Sequence, residues 1–121
     1  MPNHVDWYLI LVQGKKSFSE IILIDGNVII HCFRTLYWTN IRNSRPTIER
    51  SFLNGSQREI LVETDLLLPN SLDLDVVEQR LYWAESLPNG YFHIVRSFVN
   101  GTGRQEIYRG MGQFVISLTV G

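Results

Sequence analysis

The sequence predicts an all-β fold, a partial β-propeller in which the chain supplies about two to three four-stranded antiparallel blades. Three observations predict it. The stretch Leu36-Tyr37-Trp38-Thr39-Asn40 recurs as Leu81-Tyr82-Trp83-Ala84-Glu85, with the Tyr-Trp pairs 45 positions apart. The segment from Ile48-Glu49-Arg50 to Asn54-Gly55-Ser56 recurs from Ile94-Val95-Arg96 to Asn100-Gly101-Thr102, 46 positions on. No window sustains the i, i+3, i+4, i+7 apolar spacing of a helix over three turns. Four short strands in a period near 45 residues is the arithmetic of a propeller blade. A β-sandwich with two look-alike hairpins is the weaker alternative, because its strands lack so regular a repeat.

Each element has its own signal. Asp6 to Gln13, Glu20 to Ile24 and Val28 to Cys32 are aromatic or β-branched runs of strand length. Thr35 to Asn40 and Thr47 to Leu53 carry the first Tyr-Trp and Ile-x-Arg strands, and Arg58 to Glu63 follows the Asn54-Gly55 step. Ser71 to Val76 is expected as the fourth strand of that unit. Arg80 to Glu85, Phe92 to Val99 and Gln105 to Tyr108 repeat the series, and Phe114 to Val120 is the last run. Gly26-Asn27, Pro69-Asn70, Pro88-Asn89-Gly90 and Gly110-Met111-Gly112 punctuate the strands as turns or hinges. The steps Asn54-Gly55 and Asn100-Gly101 are expected as two-residue type I′ hairpins, which need positive φ at both central residues. In blades that stack face to face, both sides of a strand meet apolar neighbours, so Leu36 and Trp38 face one way and Tyr37 the other.

Composition excludes several functions. A net charge of -1 over 121 residues, with no Lys/Arg cluster, offers no footprint for nucleic acid. The arginines between Arg42 and Arg50 read as a solvated loop. The apolar runs are far shorter than the roughly 20 residues of a membrane helix. Met1 to Asp6 lacks a basic n-region and is followed by too short an apolar core for a signal peptide. A single cysteine, Cys32, excludes an internal disulfide framework and reads first as a buried strand thiol.

The chemistry-bearing residues are few. Asn54-Gly55-Ser56 and Asn100-Gly101-Thr102 satisfy the N-glycosylation rule at turn tips. Arg50 and Arg96 occupy equivalent positions and are expected to be architectural, each offering its guanidinium fork to an adjoining strand. Asp73 and Asp75 point to one face of a strand, where hydrogen bonding is favoured over cation binding or acid/base work. His4, His31 and His93 show no metal-ligand spacing, and His93 is expected on a strand surface. No nucleophile motif and no cofactor-binding motif is present. Catalysis and a bound cofactor are therefore not expected.

These motifs resemble the class B (YWTD) repeats of the low-density lipoprotein receptor family. The family order of Leu-Tyr-Trp-Thr-Asp, Ile-x-Arg, Asp-Gly-Ser and Arg, then Pro before a strand ending in Asp, is similar to Leu36 to Asn40, Ile48 to Ser56, Arg58, and Pro69 to Asp75. Leu81 to Glu85, Ile94 to Gly101 and Arg104 repeat it. The repeat set thus comprises Leu36, Tyr37, Trp38, Thr39, Asn40, Ile48, Arg50, Gly55, Leu81, Tyr82, Trp83, Glu85, Ile94, Arg96 and Gly101. Two departures stand out: the closing Asp is Asn40 or Glu85, so the ties made by that carboxylate should weaken or rearrange, and the turn Asp is Asn54 or Asn100.

The resemblance covers residues 29–121 as an incomplete six-bladed ring and leaves 1–28 as a segment of unclear origin, with a preceding blade as the source it suggests. It implies a non-catalytic, extracellular or membrane-anchored receptor piece that recognises a protein ligand. In insects it implies a link to germ-cell development. It also implies a disulfide from Cys32 to a residue outside the chain, as the alternative to a buried thiol. Self-association through exposed blade edges is expected of an open array. The rival readings are a fragment of a propeller hydrolase or lactonase and a degenerate, non-functional duplicate.

Overall fold

The computed structural model describes residues 7–12, 20–24, 27–32, 34–41, 45–111 and 114–120, with side-chain surroundings described at 29, 34–41 and 45–111. The strands in chain order are β1 (Trp7–Val12), β2 (Glu20–Ile24), β3 (Asn27–Cys32), β4 (Thr35–Asn40), β5 (Thr47–Phe52), β6 (Glu59–Val62), β7 (Pro69–Asp75), β8 (Arg80–Ser86), β9 (Tyr91–Phe98), β10 (Gln105–Met111) and β11 (Phe114–Val120). They form a five-stranded sheet ordered β2-β3-β4-β5-β6, a four-stranded sheet ordered β10-β9-β8-β7, and a two-stranded pair of β1 with β11. The two large sheets are antiparallel throughout, whereas β1 and β11 run parallel.

The repeat and the sheets are out of phase. The strand after Pro69 does not complete the first sheet, as its place in the sequence unit suggested, but opens the second. In β7, Leu72 lies opposite Trp83 and Leu74 opposite Leu81 of β8, so apolar pairs fix the register. Residues 63–68 carry the chain from the outer strand β6 across to β7.

The Asn-Gly turns also differ from expectation. Gly55 and Gly101 hold φ of +86° and +87°, but Asn54 and Asn100 are not at positive φ, so neither turn is type I′. Each hairpin closes over a longer loop. Phe52 N–H donates to Ser56 O at 2.9 Å and Gly55 N–H to Phe52 O at 2.8 Å. Phe98 and Gly101 make the same bonds to Thr102 O and Phe98 O, at 2.8 and 2.9 Å. The Asn side chain accepts from the amide and hydroxyl two residues on, an Asx turn that competes with the two-residue loop. The pair with positive φ at both residues is Asn89-Gly90, at +65° and +75°, within a 3-10 turn at Pro88–Gly90. Gly110 and Met111 are not a hinge: they extend β10, because glycine there leaves room for the Phe92 ring, 2.9 Å from where a Cβ would sit.

Strand pairing assigns every side chain to one of two faces. In the first sheet Tyr37, Thr39, Ile48 and Arg50 share the face turned to the second sheet, while Trp38, Asn40, Thr47 and Glu49 share the other. In the second sheet Leu81, Trp83, Glu85, His93 and Val95 share the face turned to the first, while Tyr82, Ala84, Ile94 and Arg96 share the far face. The main core lies in this seam: Tyr37, Ile48, Val62 and Leu66 against Leu72, Leu74, Leu81, Trp83 and Val95. Tyr82, Ala84, Phe92 and Ile94 form a separate cluster on the far face. Each fully buried side chain of this size contributes about 1.5–3 kcal/mol.

Candidate recognition surface

The seam is held by polar ties as well as by its core, and most of them come from repeat positions. Arg50 of β5 donates Nη1–H to Val99 O of the second sheet at 2.9 Å and holds Glu59 through Nε and Nη2 at 3.1 and 2.9 Å. Its equivalent, Arg96, reaches Gln105 of its own sheet at 3.2 and 3.1 Å. Arg104 lies over the Trp83 ring, 5.6 Å from its centroid, and donates to Thr64 O at 2.6 Å and Asp65 O at 3.1 Å. Arg58 repeats the stacking over Trp38 at 5.7 Å. Both Arg–Trp pairs are cation–π contacts.

At Glu85 and Asn40 the tie is rearranged. Glu85 is 1% exposed, accepts the Leu67 N–H through Oε2 at 2.8 Å and meets His93 Nε2 through Oε1 at 2.8 Å. His93 Nδ1 lies 2.8 Å from Glu106 Oε1, which also accepts from Arg109 at 3.0 and 2.7 Å. His93 is thus held between two carboxylates, not displayed on a strand surface as expected. Bonds from Arg109 first, then His93, hold the Glu106 carboxyl below its ordinary range.

In the first sheet the carboxylate has moved one strand over. Neutral Asn40 donates Nδ2–H to Glu49 Oε2 at 3.2 Å, and Thr47 donates Oγ1–H to the same oxygen at 2.6 Å. Arg58 donates to Glu49 Oε1 at 2.8 Å from both Nε and Nη2. Burial pushes the Glu49 carboxyl up, but the bonds from Thr47, Arg58 and Asn40 and the Arg58 charge outweigh it and hold the group low.

The crossover from β6 to β7 is the segment these ties converge on. Arg104 fixes Thr64 and Asp65, Glu85 fixes the Leu67 amide, Ser86 N–H donates to Leu68 O at 3.2 Å, and Leu66 is buried in the core. On this pinned backbone Leu67 and Leu68 remain 54% and 43% exposed. Tyr91, 39% exposed, follows the Pro88–Gly90 turn at the same end. The opposite end carries the Asn54 and Asn100 turns, which are joined to the neighbouring turns by Leu53 N–H to Arg34 O at 2.7 Å and Val99 N–H to Gln79 O at 3.2 Å. Phe52 and Leu53 there are 49% and 54% exposed and line a shallow cleft with Arg34 and Asn54.

The other sequence candidates resolve simply. Asp73 Oδ1 accepts from Leu74 N–H at 2.8 Å and Asp75 Oδ1 from Glu78 N–H at 3.1 Å, as expected of hydrogen-bonding carboxylates. Among the described residues no group of three His, Cys, Asp or Glu is placed to hold a metal. His4 and the side chains of His31 and Cys32 lie outside the described residues. Sequence reasoning assigned nothing to the crossover between Glu63 and Pro69, although the apolar run Leu66-Leu67-Leu68 lies there and was the signal available.

Residues 34–76 match the low-density lipoprotein receptor repeat class B. Over those residues the chain carries a class B repeat, as the motifs of β4 to β7 led one to expect. It is 33% identical over 96 residues to Protein cueball of Drosophila yakuba, an alignment that covers 79% of this chain and 15% of that protein. With the cueball protein of Drosophila ananassae it is 33% identical over 85 residues, 70% of this chain and 13% of the relative. The chain therefore spans about 15% of the length of the curated relatives it matches. Among solved structures it is similar to a chain of a nidogen/laminin complex, with a TM-score of 0.56 and 21% identity, covering 83% of this chain and 48% of that one. At that identity the likeness shows the fold alone.

Proposed function

We propose that the chain is part of a receptor-type propeller that recognises a protein ligand without catalysis, through the crossover end of its two sheets. The observation that carries this reading is the exposure of Leu67 and Leu68 on a backbone that continues from β6 and is fixed by Glu85, Ser86 and Arg104 of the second sheet. Apolar side chains presented by an already ordered segment lose little entropy on binding, so they suit a contact with another protein. Residues 29–121 are read as an incomplete ring and 1–28 as part of a preceding blade. The parent protein is read as membrane-anchored and extracellular, with a germ-cell role that rests on the likeness to insect relatives. Cys32 is read first as a strand thiol, with a disulfide to a residue outside the chain as the alternative the resemblance implies.

The test is a binding screen of the full-length protein against secreted and cell-surface ectodomains, with Leu67→Ser/Leu68→Ser as the comparison. The expected result is a partner whose affinity falls at least tenfold in the variant while the melting temperature is kept. Binding that survives the double substitution would place the recognition surface elsewhere. Metal-dependent hydrolysis by the purified protein would favour the propeller-enzyme reading instead.

A further inference from the structure

We propose that Asn54 and Asn100 are acceptors for N-linked oligosaccharides, attached to the same turn of two successive blades. The inference rests on the extracellular reading above for its compartment, and on the turns themselves for its sites.

Both asparagines are exposed, at the tips of hairpins built alike. Asn54 Oδ1 accepts from Ser56 N–H at 3.0 Å and Ser56 Oγ–H at 2.6 Å. Asn100 Oδ1 accepts from Thr102 N–H at 3.1 Å and Thr102 Oγ1–H at 2.7 Å. The hydroxyl two residues on is thus in contact with the amide oxygen, and Nδ2 has no hydrogen bond among the described residues. In the transfer step Nδ2 attacks C1 of the terminal sugar of a lipid diphosphate-linked oligosaccharide. A C–N bond forms, the C–O bond to the diphosphate breaks, Nδ2 gives up one proton, and the lipid diphosphate leaves.

The third exposed Asn-Gly pair sharpens the assignment. Asn89-Gly90 is followed by Tyr91, not by Ser or Thr, and so lacks the aliphatic hydroxyl of the acceptor rule, and it sits at the crossover end. The sugars would stand beside Phe52 and Leu53, covering exposed apolar surface at one end of the sheets and leaving Leu67 and Leu68 bare at the other.

The experiment is translation of the full chain behind an added secretion leader in the presence of microsomes. Mass is read before and after treatment with a glycosidase specific for N-linked sugars, on protease-protected material. Two discrete glycosidase-sensitive mass steps are expected. Asn54→Gln and Ser56→Ala should each remove one, Asn100→Gln and Thr102→Ala the other, and the double Asn variant both. A protease-protected chain with no mass step, or a double variant that keeps its steps, would overturn the proposal. Modification of this kind acts on the entering chain, so a variant that folds poorly still reports. Because the leader supplies entry, failure here is distinct from failure of the extracellular reading, which the native protein's own location tests.

Discussion

Gly55 and Gly101 are equivalent residues in equivalent turns with almost the same φ, yet their surroundings differ. A Cβ at Gly101 would collide with the Leu61 carbonyl of the first sheet, whereas no described atom lies within 4 Å of one at Gly55. Alanine at either position suffers the left-handed backbone, about 1–2 kcal/mol. Only Gly101→Ala must also push the two sheets apart. Chemical denaturation should therefore show Gly101→Ala losing clearly more stability than Gly55→Ala; equal losses would mean the second turn does not dock on the first sheet. The arginines divide in the same way. Arg50→Ala breaks a charge-assisted bond across the seam and should cost about 1.5–3 kcal/mol. Arg96→Ala removes a bond within one sheet at an exposed edge and should cost about 0.5 kcal/mol or less. A double-mutant cycle of Arg50 with Glu59 would separate the salt bridge from the seam bond.

The two sheets show how one strand recipe is adapted to different neighbours. Position for position, the face of the first sheet that bears Trp38 exchanges Glu85, His93 and Val95 for Asn40, Thr47 and Glu49. On this face those three, with Arg58, hydrogen-bond one another across β4, β5 and the turn before β6. Its carboxylate sets a pH dependence. The folded Glu49 group lies below its ordinary value of 4.5, so its contribution to stability is complete above that pH and is lost as pH falls through the lower folded value. Glu106 acts with the same sign. Melting temperature should hold above pH 5 and drop below it, and Glu49→Gln should flatten that acid limb; an unchanged limb would show that the network is not formed. The strands themselves were legible in the sequence because aromatic and β-branched runs end sharply at Gly, Pro and Asn. The turn types were not, because an Asn that fits positive φ serves equally well as an Asx acceptor.

At the scale of the whole molecule, the period of 45 to 46 residues announced repeated leaflets, and the class B match and the propeller-like neighbour agree with it. The phase of the repeat was hidden. Sequence similarity starts at the Tyr-Trp strand, but strand pairing starts earlier, at β2 in the first sheet and β7 in the second, so the crossover lies inside a sequence unit while it joins two sheets. The carboxylate ties were partly legible: Asn40 and Glu85 stood out as departures, but the neighbours that absorb the change, Glu49 and His93, lie on adjacent strands and become visible only through pairing. The seam explains why the same tryptophan has different worth in each copy. Trp83 is fully buried between the sheets and Trp38 only partly buried. The direct measurement is denaturant unfolding of Trp38→Ala beside Trp83→Ala. Interlocked leaflets predict a loss of about 3–5 kcal/mol for Trp83→Ala, a markedly smaller loss for Trp38→Ala, and one cooperative transition in the parent chain. Equal losses, or two separate transitions, would contradict it.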